Sequence, residues 1–336
     1  MGNPNLKAPK EANDFASVTG RVKIASIGVS VPDTVLTNSD FEKMVDTTDE
    51  WIVTRTGIRK RHIVPKGSPV TGAELGSNAA RSALEKAGVA PGQVDGIICA
   101  TVSPDTFFPS TACHIQAILG CRHAMAFDIS AACAGFVYGL ALAKNFILAG
   151  EGTTILVVGS EILSRATDYS DRATCILFGD GAGAAVVQPV TDDSAAGILS
   201  TCLGSDGSLG KILYCNAWGD DRRIMMEGRE VFKNAVRMMT DMAYKAIDAA
   251  GLTIDDIDYL VPHQANIRII DAVRDAMKLP PEKVVINLEN YGNTSSASIP
   301  LALNDAMADG RIKKGTTVAF TSLGGGITVA SAVVRF

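Results

Sequence analysis

The chain has 336 residues, with 31 Lys+Arg against 36 Asp+Glu for a formal net charge of −5. That balance argues against a nucleic-acid binder working by bulk phosphate neutralisation. Hydrophobic residues at 47% and charged ones at 20% exclude a disordered composition, and at about 100–200 residues per domain the length points to two domains or one duplicated unit.

Residues 1–20 are polar, contain Pro4 and Pro9, lack the apolar stretch of a signal peptide and read as a loose tail. Seven cysteines stand at 99, 113, 121, 133, 175, 202 and 215. The number is odd, and neither CxxC pairs nor zinc-ligand spacing occur, so the expectation is a reducing compartment, no disulfide framework and no metal. No apolar run reaches the roughly 18 residues of a membrane span. A cytoplasmic chain bound to neither membrane nor nucleic acid is the expectation.

Along the chain, a helix closes at Gly88 and a strand follows at 96–102 (GIICATV). Asp128–Phe136 (DISAACAGF) then leads into a long apolar helix ending at Gly150, with Cys133 in its first turn. There the free N–H groups and the helix dipole favour a thiolate, and Ala131, Ala132, Ala134 and Gly135 leave room for a substrate. Cysteine is also a common core residue, so this segment alone leaves nucleophile and packing thiol both open; the other six read as packing. A GTT turn at 152–154 enters the strand TILVVGSE, and ATCILFGDG and GAAVVQPV read as a strand pair around Gly179–Gly183. A dinucleotide fingerprint at those glycines would need a helix to open after it, where AAVVQPV reads as a strand. Pro189 and the polar 191–197 stretch mark a seam between 21–190 and 191–336.

The second half repeats the grammar: a helix closing at Gly251, a strand at 259–263, and a GTT turn at 315–317 into TVAFTSLG. Pro262–Asn266 (PHQAN) places His263 at a strand end, where α/β sites lie, although a core histidine fits equally. Asn290–Ser295 (NYGNTS) is a turn-rich loop, and Leu323–Gly326 offers bare backbone N–H groups of the kind an oxyanion needs. Residues 83–98 (ALEKAGVAPGQVDGII) match 246–261 (AIDAAGLTIDDIDYLV) at an offset of 163 positions, and GTT at 152 matches GTT at 315 at the same offset. Two matches at one offset indicate an internal duplication of an α/β unit.

Cys133 within SAACAGF, His263 within PHQAN, Asn293 within YGNTS and the GGG turn together resemble the β-ketoacyl-acyl-carrier-protein synthase III family of thiolase-like condensing enzymes. The resemblance runs from about Arg21 to Phe336 and includes DTTDEWIVTRTGI (46–58), FFPS (107–110), LFGDGAG (177–183) and MEGREVF (226–232). It implies a duplicated thiolase-like α/β fold, two pseudo-symmetric halves in α-β-α-β-α layers. It also implies initiation of fatty acid synthesis by decarboxylative Claisen condensation, with Cys133 as the acylated nucleophile and His263 and Asn293 as donors to the enolate. The oxyanion would lie against the N–H groups of Cys133 and Gly325. Trp51 and Arg172 would sandwich the adenine of coenzyme A, a substrate rather than a cofactor, with Thr47, Arg55, Gly228 and Asn266 along its tunnel. Phe108 would close the partner's acyl pocket across a homodimer, and Lys233 and Arg268 would receive the acyl carrier protein. Leu323 and Ile327 stand where many family members carry Phe or another bulky residue, and Val329 stands where an aromatic is common. The alternative within the fold is an acyltransferase or secondary-metabolite starter enzyme with a different acceptor.

Overall fold

The computed structural model describes residues 20–192, 194–219 and 221–336, so nearly all of the expected tail lies outside the described residues. Two sheets form the centre. The first holds β1 (Val22–Ser30), β2 (Gly96–Ala100), β3 (Met125–Ile129), β4 (Ile155–Glu161) and β5 (Gly181–Pro189) in the order β1-β5-β4-β2-β3. The second holds β6 (Gly197–Ser205), β7 (Tyr259–Pro262), β8 (Thr317–Gly324) and β9 (Thr328–Arg335) in the order β7-β8-β9-β6.

The duplication is visible in the pairing. β2 and β4 run parallel, as do β7 and β8; β4 and β5 run antiparallel, as do β8 and β9. The matched aspartates do the same work. Asp95 N–H donates to Thr154 O at 2.8 Å, and Thr154 N–H returns a bond to Asp95 Oδ2 at 3.1 Å. Asp258 N–H donates to Thr317 O at 2.9 Å, and Thr317 N–H returns a bond to Asp258 Oδ2 at 2.8 Å. Each carboxylate pins the start of the core strand beside it.

Among the described residues seven helices of eight residues or more complete the layers: α1 (Asp49–Thr56), α2 (Gly72–Ala87), α3 (Thr111–Leu119), α4 (Gly135–Leu148), α5 (Gly228–Ala249), α6 (Ile267–Ala276) and α7 (Ser298–Ala308). α4 and α7 lie between the sheets. Phe136, Leu140 and Ile147 of α4 and Ile299 and Leu303 of α7 share one buried cluster with Val157 and Val187 on one side and Val318 and Phe320 on the other. α2 and α3 cover the outer face of the first sheet through Ala79, Ala83 and Ile115, and α5 and α6 cover the second through Ala235, Met239 and Ile270. β2, β4 and β8 are buried at every position, on both faces, which is why none of them alternates apolar with exposed polar residues.

One expected strand is absent. Residues 173–177 fold as turns and Phe178 makes only an isolated bridge to Asn293, because Asp171 captures the N–H of Ala173 and the hydroxyl of Thr174, while Cys175 N–H returns to Asp171 O. Local side-chain bonds of this kind compete with a ladder. The strand begins only at Gly181, with no helix after the glycines, so the dinucleotide arrangement is not formed. Asp180 between them is buried and accepts from Val64 N–H and the Ser164 hydroxyl.

Candidate active site

Cys133 sits in a short 3₁₀ turn, Ala132–Ala134, immediately before α4 rather than within the first turn of that helix. The turn begins on Ala132 in a left-handed conformation, φ 44°, a strain of the kind that clusters at functional positions. The glycine turn after β8 presses against it: a Cβ on Gly324 would lie 2.6 Å from the Cys133 amide nitrogen and 2.8 Å from Ala132 Cβ. Thr328 closes the contact by donating to Ala131 O at 2.7 Å. Only a residue without a side chain lets the two turns approach this closely.

The electrostatics differ from the expectation of a thiolate. Cys133 opens onto the cavity, yet burial pushes its thiol up to about 12, outweighing the help its own N–H and the Ser295 hydroxyl give the sulfur. Helix-start geometry raises anion stability, but removal of water costs the anion more here. At rest Cys133 is a neutral thiol.

His263 follows β7 and is 2% exposed. Burial holds its imidazole down at about 3, so it is neutral. Its Nδ1 lies 2.6 Å from the hydroxyl of Ser298, the first residue of α7. Asn293 is held at its backbone by the 177–179 turn: Asn293 N–H donates to Leu177 O at 2.8 Å, and Gly179 N–H donates to Asn293 O at 3.0 Å. Its side-chain Oδ1 accepts from Ser295 N–H at 2.9 Å, which leaves the amide NH₂ free to donate.

These groups line one cavity of about 1600 Å³. Of the residues expected from sequence, Cys133, His263, Asn293, Gly325, Trp51, Arg55, Arg172, Gly228, Asn266 and Arg268 all border it. At its mouth Trp51 carries two guanidinium groups, Arg55 at 4.6 Å and Arg172 at 4.9 Å from the ring centroid. A ring sandwiched between Trp51 and Arg172 needs two stacking distances, about 7 Å in all, so Arg172 in this arrangement stacks directly on Trp51. Asn266 caps α6, its Oδ1 accepting from Arg268 N–H at 2.9 Å.

Other expected residues stand apart. Thr47 is outside the lining, with its hydroxyl buried and unbonded. Lys233 is exposed on α5 away from the lining. Phe108 is 86% exposed, and its neighbour Phe107 borders the cavity instead, stacked on Trp218 at 4.9 Å between centroids. Cys215, read as a packing residue, is exposed and borders the cavity from a short two-stranded ribbon, paired with Ile224. Ser298, unnoticed in sequence, follows Asn293 in a run of small hydroxyl residues, the one local sign of it. Among the described residues no group of three or more His, Cys, Asp and Glu could hold a metal, and no helix is long and apolar enough to cross a membrane.

The models for 3-oxoacyl-[acyl-carrier-protein] synthase III and for its C-terminal part match residues 127–207 and 247–336. The β-ketoacyl-[acyl-carrier-protein] synthase III of Caldanaerobacter subterraneus subsp. tengcongensis is 48% identical over 325 residues, covering 93% of this chain and 97% of its own. The chain belongs to the 3-oxoacyl-[acyl-carrier-protein] synthase III family. The crystal structure of the synthase III from Aquifex aeolicus superposes with a TM-score of 0.90 at 45% identity, over 94% of this chain and 100% of that one. A priming β-ketosynthase from the R1128 polyketide pathway is more distant in sequence, 34% identical with a TM-score of 0.87 over 99% of both chains. The synthase III relatives are condensing acyltransferases with the duplicated thiolase-like fold, and this chain is an enzyme of that kind.

Proposed function

We propose that the enzyme performs the initiating condensation of fatty acid synthesis: an acyl-CoA, acetyl-CoA first among them, acylates Cys133, and malonyl-acyl-carrier protein is then decarboxylated and condensed with that acyl group. The observation that carries this reading is the convergence of Cys133, His263, Asn293 and the Gly325 turn on one cavity. Sγ of Cys133 attacks the thioester carbonyl, and the oxyanion is received by the N–H groups of Cys133 and Gly325. CoA leaves as a thiol, taking up the proton that the sulfur releases. In the second half, malonyl thioester loses CO₂, and its enolate oxygen accepts hydrogen bonds from His263 and Asn293. Carbon–carbon cleavage itself makes the carbanion, so a neutral imidazole and a neutral amide suffice as donors. The enolate attacks the acyl-cysteine carbon and the sulfur departs as a thiolate, which takes a proton from water as 3-ketoacyl carrier protein is formed.

CoA would lie along Trp51, Arg55, Arg172, Gly228 and Asn266, with Thr47 behind them, and no separate cofactor is proposed. The carrier protein would dock on Lys233 and Arg268, whose guanidinium sits 6.0 Å from the Phe232 ring. Exposed Phe108 supports a homodimer, and the halves 21–190 and 191–336 would each supply part of the one site. Incubation with acetyl-CoA should add about 42 Da to the intact protein. The adduct should be absent in Cys133→Ser, and CO₂ should be released when malonyl-carrier protein follows. Condensation at the wild-type rate by Cys133→Ser would overturn the reading; release of CO₂ only with a CoA-linked or small acceptor would assign the starter-enzyme alternative.

A further inference from the structure

Glu161 is the last residue of β4 and is completely buried. Its counterpart 163 positions later is Gly324, the last residue of β8. The turns that face these strand ends are counterparts too. Ala132–Ala134 carries Cys133, and Ser295–Ala297 carries Ser296 at the same place. Each begins on a non-glycine residue in the left-handed region, Ala132 at φ 44° and Ser295 at φ 49°. In one half a glycine lets the nucleophile turn come close; in the other a carboxyl group reaches the matching turn.

The hydrogen atoms of that contact can be counted. Oε2 of Glu161 accepts from Val102 N–H at 3.0 Å, from the Ser103 hydroxyl at 2.7 Å and from the Thr101 hydroxyl at 3.3 Å. Ser296 Oγ lies 2.9 Å from Glu161 Oε1 and 2.9 Å from Ala100 O. A serine hydroxyl has one hydrogen, and both of these neighbours are acceptors if the carboxyl is ionised. With a proton on Oε1, Glu161 donates to Ser296, and Ser296 donates to Ala100 O; every contact is then a hydrogen bond. Ser296 lies within the stretch that sets both enolate donors, between Ser295, which orients Asn293, and Ser298, which faces His263.

We infer that Glu161 carries a proton on Oε1 and is a positioning residue, locking the 293–298 segment so that Asn293 and His263 face the enolate of the proposed reaction, on which this inference rests. Burial raises its pKa, opposed by hydrogen bonding from the Ser103 hydroxyl, Val102 N–H and the Ser296 and Ser295 hydroxyls. The titratable groups it acts upon are Cys133 in the nucleophile turn and Cys99 in β2, with Asp128 and Asp105 acting on Cys99 beside it. No cation is among the influences on it. As pH rises through its raised pKa, the proton leaves, Ser296 must choose between its two acceptors, and the lock loosens. Acylation of Cys133 does not use Asn293 or His263 as enolate donors and should be affected less.

The test separates the two half-reactions by single turnover in wild type, Glu161→Gln and Glu161→Ala. Acylation by acetyl-CoA is read by intact mass, and CO₂ release from malonyl-carrier protein is read on the pre-acylated enzyme. The pH range is about 6 to 10, where buried His263 is already neutral. Wild type should lose condensation toward the alkaline end. Glu161→Gln keeps a neutral donor and acceptor, should condense within about threefold of wild type at neutral pH, and should lack the alkaline loss. Glu161→Ala should condense about thirtyfold more slowly while acylating within about threefold. An alkaline loss shared by wild type and Glu161→Gln, or equal losses of both steps in Glu161→Ala, overturns the inference. Should Glu161→Ala not fold, the profile of Glu161→Gln decides alone. A wild type that never acylates would instead sink the proposed function, leaving the two failures distinct.

Discussion

The imidazole Nδ1 of His263 and the hydroxyl of Ser298 lie 2.6 Å apart, joining the end of β7 to the start of α7. Gln264 N–H approaches the same hydroxyl oxygen at 3.4 Å. The serine oxygen can accept from the amide and still donate its one proton to Nδ1, and in that arrangement the ring's own hydrogen is on Nε2. Ser298 is thus placed to support the neutral tautomer whose Nε2–H can donate.

Ser298→Ala should therefore slow condensation about tenfold to a hundredfold, the usual worth of a correctly placed proton donor. Acylation of Cys133 should be nearly unchanged, and single-turnover CO₂ release against acyl-enzyme formation checks it.

His263 also sets a pH dependence of stability. Its folded pKa of about 3 lies below the ordinary 6.5, so between these values the unfolded chain binds a proton that the folded one does not. The stability of the neutral ring is fully present above the ordinary value and is lost as pH falls toward the folded one. His263→Gln should remove a slope of about 1.4 kcal/mol per pH unit between about pH 6 and 4, measured by urea unfolding of both proteins.

Gly324→Ala would put a methyl group 2.6 Å from the Cys133 amide nitrogen and 2.9 Å from Thr328 Oγ1. The neighbour is backbone, so the turns must part. Acylation should fall about a hundredfold, as when an oxyanion donor is misplaced, with a loss of about 1–3 kcal/mol in stability. Gly325→Ala, whose nearest neighbour would be Leu213 O at 3.1 Å, should cost less in both measurements.

Trp51→Ala should raise KM for acetyl-CoA about tenfold, the worth of a stacking surface shared with a guanidinium. An acetyl thioester of a short thiol does not reach the cavity mouth, and its KM should hardly change. Steady-state kinetics with the two donors decides it.

The sequence by itself determined the duplication, because a strand start pinned by an aspartate must recur with the same spacing wherever the unit recurs, and Asp95 and Asp258 do. It also marked Cys133, His263 and Asn293, since small residues, strand ends and turns leave local traces in composition. Residues 173–177 misled because their apolar content resembles a strand, whereas Asp171 bends them by bonds that periodicity does not register. The direct stacking of Arg172 on Trp51, the exposure of Cys215 and the bordering of the cavity by Phe107 rather than Phe108 depended on packing between distant segments. Only the tertiary structure decided the protonation of the site. Desolvation depends on what surrounds a group from every side, so it made Cys133 a thiol and His263 a neutral imidazole, and the fold alone brought Glu161 opposite Ser296 across 135 residues of chain.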